Sequence, residues 1–162
     1  MKSIKDPVHG YIQVDSSLLP LLDTPQVQRL RYIRQLGFSF LVYPGAHHTR
    51  FEHSLGTMHL AHSLATRLSL PREDQAHITV AGLLHDIGVI IIDQFLHGEF
   101  EKILKQSRKE RNNLTFFEEN RLGFNHSDIG GAIAGNWEFP DEICAAIARH
   151  HNPDGADEKY DK

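Results

Sequence analysis

The sequence predicts an all-α fold, a compact helical bundle with a small extended segment or hairpin at its N-terminus. Three observations predict it. From about residue 50 onward, successive segments carry apolar residues at three- and four-residue spacing and are bounded by Gly, Pro or Asn. Strand-like alternation is confined to the opening "DPVHGYIQVD". Strand–helix alternation and internal repeats are both lacking. With 162 residues and 40% apolar side chains, the chain suits a single domain over 1–162 that buries a core without cross-links. Its polar end over 152–162, "NPDGADEKYDK", reads as a loose tail.

Each element has its own signal. Pro7 and Gly10 mark a turn beside the first short strand or hairpin. "SLLPLLDTPQVQRLRYIRQLG" gives a brief helical turn and then a helix with Thr24 as N-cap and Pro25 at its first position. Val27, Leu30, Ile33 and Leu36 form its apolar stripe, and Gly37 ends it. "FSFLVYPG" is expected to be a short extended segment with a Pro-Gly turn. Thr49 followed by Glu52 predicts a capping box for the strongly helical "TRFEHSLGTMHLAHSLATRL". Pro71 opens another helix, which runs through "DQAHITVAGLLHDIG". "DQFLHGEFEKILKQSRKER", "LTFFEENRLG", "NHSDIGGAIAGNW" and "PDEICAAIARHH" each carry a helical pattern.

Composition narrows the function classes. A net charge of -4 and a pI of about 6.3 argue against a broad basic surface for nucleic acid or lipid. Basic residues cluster only locally, in "RLRYIR" and "KILKQSRKER". The single Cys144 excludes an internal disulfide and suits a reducing compartment. The first residues lack an apolar leader, and no later run is expected to reach membrane-spanning length. A soluble cytoplasmic protein with no membrane partner is the expectation, with nucleic acid the last-ranked partner. Twelve histidines stand against that one cysteine, so a bound transition metal would be held by nitrogen and oxygen.

"VAGLLHDIGVIII" places His85 and Asp86 side by side in an apolar helical run. Two readings stand: capping and paired residues in an ordinary core, or metal ligands. Other histidines share the placement. His53 leads Thr57, Leu60 and Leu64 in a row expected to face inward. His126 leads Ile129, Gly130 and Ile133, and His150 with His151 follows Ile143, Cys144, Ala146 and Ile147. These positions fall at helix ends in line with apolar faces, where a bundle can gather them around one polar cavity. Burying them unpaired would be costly, and a shared metal or a hydrogen-bond network removes that cost. His59, His62, His77 and His97 lack the pattern and are read as ordinary surface or packing residues.

"HDIG" after an apolar helix, with His53 upstream, resembles the HD superfamily of metal-dependent phosphohydrolases. On that motif His53, His85 and Asp86 match residue by residue as metal ligands, with Asp86 also in the catalytic set. "IKDPVHGYIQV", "LLDTPQVQRLRYIRQLG" and "VYPGAHHTRFEHSLGTMHLA" are similar to the deoxynucleoside triphosphate triphosphohydrolase branch, which makes Arg50 of "RFEH" a phosphate-contacting or catalytic residue. From about Gly82, "LLHDIGVIIIDQFL", "ENRLGFNHSDIGGAIAGNWEFP" and "EICAAIARHHNP" resemble the HDOD branch, a compact relative associated with signalling and often without hydrolase activity. The resemblance is thus composite, as expected of a natural recombinant, a degraded relative or an engineered hybrid. Val89 stands where HDOD members commonly have lysine. The resemblance also implies a closing aspartate, for which Asp128, Asp154, Asp157 and Asp161 are the candidates.

The implied activity is metal-dependent hydrolysis of a nucleotide or other small phosphoester by metal-activated water. His53, His85 and Asp86 would hold one ion. His126, His150 and His151 would hold a second or contact phosphate. The ion would be Mn, Fe, Co, Ni or Zn, one or two per chain, with Mg also admitted. Arg50 either clamps a phosphate bidentately or forms a surface ion pair with Glu52 or a neighbouring acid. The rival reading is a non-catalytic HD/HDOD-like module that binds metal or a protein partner.

Overall fold

A computed structural model of the protein describes residues 1–36 and 41–153. The chain is mostly helical with a small N-terminal β-hairpin, as the sequence predicts. It divides into two compact units, Met1–Leu84 and His85–Lys162.

The first unit opens with β1 (Lys2–Asp6) and β2 (Gly10–Val14), which pair antiparallel with Ile4 opposite Ile12. Asp6 shapes the turn: its Oδ1 accepts from the backbone N–H groups of Val8 and His9 at 2.9 and 2.7 Å. Gly10 closes it at φ +75°, a conformation glycine adopts without a Cβ clash. The period-2 pattern buries Ile12 and Val14 completely. A 3₁₀ turn (Ser16–Leu18), α1 (Leu19–Leu22) and α2 (Pro25–Arg29) follow.

Thr24 caps α2, its Oγ1 accepting from Val27 N at 3.4 Å. The helix is shorter than its stripe predicts. It tightens into a 3₁₀ turn at Leu30–Tyr32, and Ile33 is extended, its carbonyl accepting from Arg50 N at 2.8 Å. Val27, Leu30 and Ile33 are still buried, while Leu36 is exposed. The predicted stop at Gly37 lies outside the described residues. Of the segment expected to be extended, residues 41–45 form turns instead.

Helix α3 (Arg50–Arg67) begins with the predicted capping box. Glu52 N donates to Thr49 Oγ1 at 3.3 Å, and Thr49 N donates to Glu52 Oε2 at 2.6 Å. The face packed inward carries Phe51, Leu55, Met58 and Ala65, and the Arg31 guanidinium sits 3.6 Å over the Phe51 ring. The row expected to face inward is corrected here. His53 and Thr57 are half-buried, but Leu60 and Leu64 are exposed, because Phe51–Leu55–Met58 is the neighbouring stripe that meets the core. Helix α4 (Arg72–Leu84) packs along α3.

The second unit contains α5 (Ile87–Phe95), α6 (His97–Glu110), α7 (Leu114–Leu122), α8 (His126–Asn136) and α9 (Asp141–Arg149). Helix α8 packs on both α5 and α9, while α6 pairs with α7. Ile87, Val89, Ile90, Ile92, Phe100, Ile103, Phe117, Ala134, Ile143 and Ile147 are its buried apolar side chains among the described residues. Gly130 lets α9 approach: a Cβ there would meet Ile147 Cγ2 at 2.9 Å.

One expectation from the sequence needs correction. The run Arg72–Phe95, 24 residues, is long and apolar enough to cross a membrane by length and composition. However, 67% of its apolar window is buried within the protein, which is the behaviour of core helix, and a turn at His85–Asp86 interrupts it.

Candidate metal centre

Every group of this centre lies in the second unit. Asp86 precedes α5, His126 opens α8, and His150 and His151 follow α9. The local sequence explains the first two positions. The helical run breaks at His85–Asp86, and both side chains are buried in the turn, with His85 Nε2 3.6 Å from Asp86 Oδ2. Asn125 caps α8, its Oδ1 accepting from Ser127 N at 2.8 Å and Asp128 N at 3.1 Å. Asp128 returns the favour as the other half of the box, its Oδ2 accepting from Asn125 N at 2.9 Å. That candidate for the closing carboxylate is thus an exposed capping residue. Asp154, Asp157 and Asp161 lie outside the described residues.

Gly88 allows the starts of α5 and α8 to touch. A Cβ built there would collide with the carbonyl oxygen of His126 and stand only 2.8 Å from Gly130 N. This contact sets the Asp86 turn against the first turn of α8. His126 Nε2 lies 3.4 Å from Asp86 Oδ1 and 2.9 Å from His151 Nε2. The His150 ring is 4.1 Å from that of His151, 5.4 Å from that of His126 and 5.1 Å from that of His85. One nitrogen each from His126, His150 and His151 falls within 4.8 Å of the others, a group able to hold a metal ion.

Hydrogen bonds around the cluster set which nitrogens face inward. Glu118, fully buried on α7, accepts at Oε2 from His126 Nδ1 at 2.6 Å and from His126 backbone N at 3.0 Å. His150 Nδ1 donates to the Ile147 carbonyl at 2.7 Å. Both rings therefore donate from Nδ1 and leave Nε2 as the nitrogen turned to the cluster, the orientation of metal-ligating imidazoles. Burial first, then the neighbouring His150 and His126, hold the His151 pKa down at about 4, so this ring is neutral at pH 7. The donor set is nitrogen and carboxylate oxygen, which fits a divalent ion and contains no sulfur. Cys144 takes no part: its Sγ donates to the Phe139 carbonyl, and burial pushes its thiol pKa up.

Of the residues singled out by sequence, the structure gathers His85, Asp86, His126, His150 and His151 within one unit. Arg50 and His53 belong to the first turn of α3 in the other unit, where Arg50 is buried and His53 half-buried. The alternative of a surface ion pair for Arg50 does not match its burial, and the Glu52 carboxylate is engaged in the capping box. His62 lies 3.2 Å from Thr79 Oγ1, His97 lies 3.0 Å from Asp93, and His59 packs on His9. Those are ordinary surface and packing contacts. Glu118 was not singled out by the sequence reading. Its signal was a carboxylate on the same helical face as Thr115, within the apolar "LTFFEENRL".

Comparison with known proteins adds family to geometry. Residues 41–153 match the family described as the HDOD domain. The chain is similar to deoxynucleoside triphosphate triphosphohydrolase SAMHD1 of Homo sapiens, 41% identical over 128 residues, covering 73% of this chain and 20% of that protein. The same enzyme of Danio rerio is 46% identical over 107 residues, covering 62% and 16%. An uncharacterized protein of Methanocaldococcus jannaschii is 48% identical over 88 residues, covering 54% and 19%. The chain spans about a fifth of the length of the curated relatives it matches. The HDOD match begins at residue 41, and the human match covers more than either unit alone, so both run across the point near Gly82 where the sequence suggests a change of branch.

Proposed function

We propose a function from one premise: the chain belongs to the HDOD domain family, and it is homologous to HD-superfamily phosphohydrolases over most of its length. The proposal is metal-dependent hydrolysis of a phosphoric ester or anhydride, on a nucleotide or another small phosphorylated molecule. The observation that carries it is the convergence of His126 Nε2 and His151 Nε2 at 2.9 Å, beside Asp86 and His150. When bound, a divalent ion supplies Lewis acidity toward a phosphoryl oxygen and acidifies water. His126, His150 and His151 would hold it, with His126 and His150 presenting Nε2 and keeping their protons on Nδ1. His85 and Asp86, with His53 assigned by the sequence motif, are proposed as the ligands of a further ion. Arg50 is proposed to clamp phosphate with its planar guanidinium, and Asp86 to serve in catalysis as well as binding. A deoxynucleoside triphosphate is the first substrate to try, because the human relative is named for that activity.

The HDOD match favours a second reading, a non-catalytic module whose cluster binds metal or supports a protein partner. The hybrid origin suggested by the two halves of the sequence stays part of that reading. A folded, Mn(II)-loaded chain assayed with deoxynucleoside triphosphates and p-nitrophenyl phosphate separates the two. Turnover that Asp86→Ala abolishes supports the hydrolase. A loaded chain that turns over neither substrate refutes it and favours the module.

A further inference from the structure

We infer that Glu118 is a positioning residue for the metal centre, fixing which imidazole nitrogen of His126 faces the site. The inference rests on the reading of His126, His150 and His151 as ligands of a divalent cation. Glu118 is fully buried, on the face of α7 that also buries Thr115 and Phe117. Its Oε2 receives two hydrogen bonds from one residue, the His126 backbone N–H at 3.0 Å and ring Nδ1–H at 2.6 Å. The second is as short as hydrogen bonds to ionised carboxylates are. Oε2 serves as acceptor for both groups, which places a ring proton on Nδ1. Nε2 is then the nitrogen that faces the site, 2.9 Å from His151 Nε2 and 3.4 Å from Asp86 Oδ1.

A second observation points the same way. Oε1 of Glu118 is buried with no hydrogen-bond partner among the described residues. A buried carboxylate held only from one side is unfavourable unless positive charge reaches it. The first turn of α8 supplies part of that through its N–H dipole. A cation bound to the far nitrogen of His126 supplies the rest through the ring. This is the arrangement in which an outer carboxylate raises the basicity of a metal-ligating histidine and fixes its orientation. His150 has a comparable bond to the Ile147 carbonyl, but that acceptor is uncharged. Glu118 therefore distinguishes His126 as the anchoring ligand.

The test titrates the full chain with Co(II), and separately with Zn(II), for wild type, Glu118→Gln and His126→Ala. Circular dichroism and thermal unfolding of each metal-free protein accompany the titrations. Wild type is expected to bind, His126→Ala to lose an ion, and folded Glu118→Gln to bind that ion about 10- to 100-fold more weakly. The visible Co(II) spectrum should change with it, which a purely structural role for Glu118 would not cause. Folded Glu118→Gln with wild-type affinity overturns the inference and leaves the metal reading standing. Wild type that binds neither ion overturns both. If Glu118→Gln does not fold, ¹⁵N-histidine NMR of metal-free wild type decides: His126 protonated at Nδ1 supports the inference, and the opposite tautomer overturns it.

Discussion

Gly88→Ala puts the joint between α5 and α8 to the test. The new methyl group would collide with the His126 carbonyl oxygen and lie 2.8 Å from Gly130 N and 3.0 Å from His126 C. All three obstacles are backbone, so no side chain can rotate away. The helices must separate, and overpacking of this kind costs about 1–3 kcal/mol, more where backbone alone must yield. The helix-propensity gain of Ala over Gly returns at most about 1 kcal/mol. A net loss of about 2 kcal/mol is the expected outcome, read from urea unfolding of the metal-free chain. Separation would also draw Asp86 from His126, so divalent-ion affinity should fall in the same protein. Gly135→Ala is the control, because nothing lies within 4 Å of a Cβ there, and it should be neutral or slightly stabilising. A Gly88→Ala protein as stable as wild type, with unchanged ion affinity, would show that the α5–α8 joint does not depend on the missing Cβ.

Two further outcomes follow from the same unit. Asn125→Ala removes the acceptor for Ser127 N and Asp128 N and should cost about 1 kcal/mol in unfolding free energy, whereas Asn125→Asp should cost little; equal stability of the Ala and Asp variants would contradict the cap. His151 gives the metal-free chain a pH dependence. Its folded pKa of about 4 lies below the ordinary value of 6.5, so between those values the unfolded chain takes up a proton that the folded chain refuses. Stability should decline as pH falls from about 6.5 to about 4, with no further loss from this group below that. The unscreened difference is about 3 kcal/mol, but His151 is exposed, and screening reduces it to about 1 kcal/mol. Urea unfolding at several pH values, for wild type and His151→Asn, checks this, and identical slopes would exclude it.

Local signals carried most of the fold. The Thr49–Glu52 box, Thr24 before Pro25, and the Gly and Pro punctuation act over three or four residues, so they can be read without knowing what packs where. The same holds for the placement of His126, His150 and His151 at helix ends. Facing was less legible. On α3, two adjacent stripes both contain apolar residues, and periodicity alone does not say that Phe51 and Met58, rather than Leu60 and Leu64, meet the core. Glu118 was missed for a related reason. A carboxylate in a helix reads as a solvated group until tertiary packing places His126 against it. The turn at His85–Asp86 was hidden as well, because the apolar run on both sides favours helix and only the buried polar pair interrupts it.

The central claim is that these imidazoles and carboxylates form a divalent-metal site. Its most direct test is an anomalous-scattering crystal structure of the chain loaded with Zn(II) or Mn(II), with data collected at the absorption edge. A peak is expected at a coordinating distance of about 2.1 Å from His126 Nε2, shared with His150 and His151. Metal-loaded crystals with no anomalous peak at those residues would contradict it.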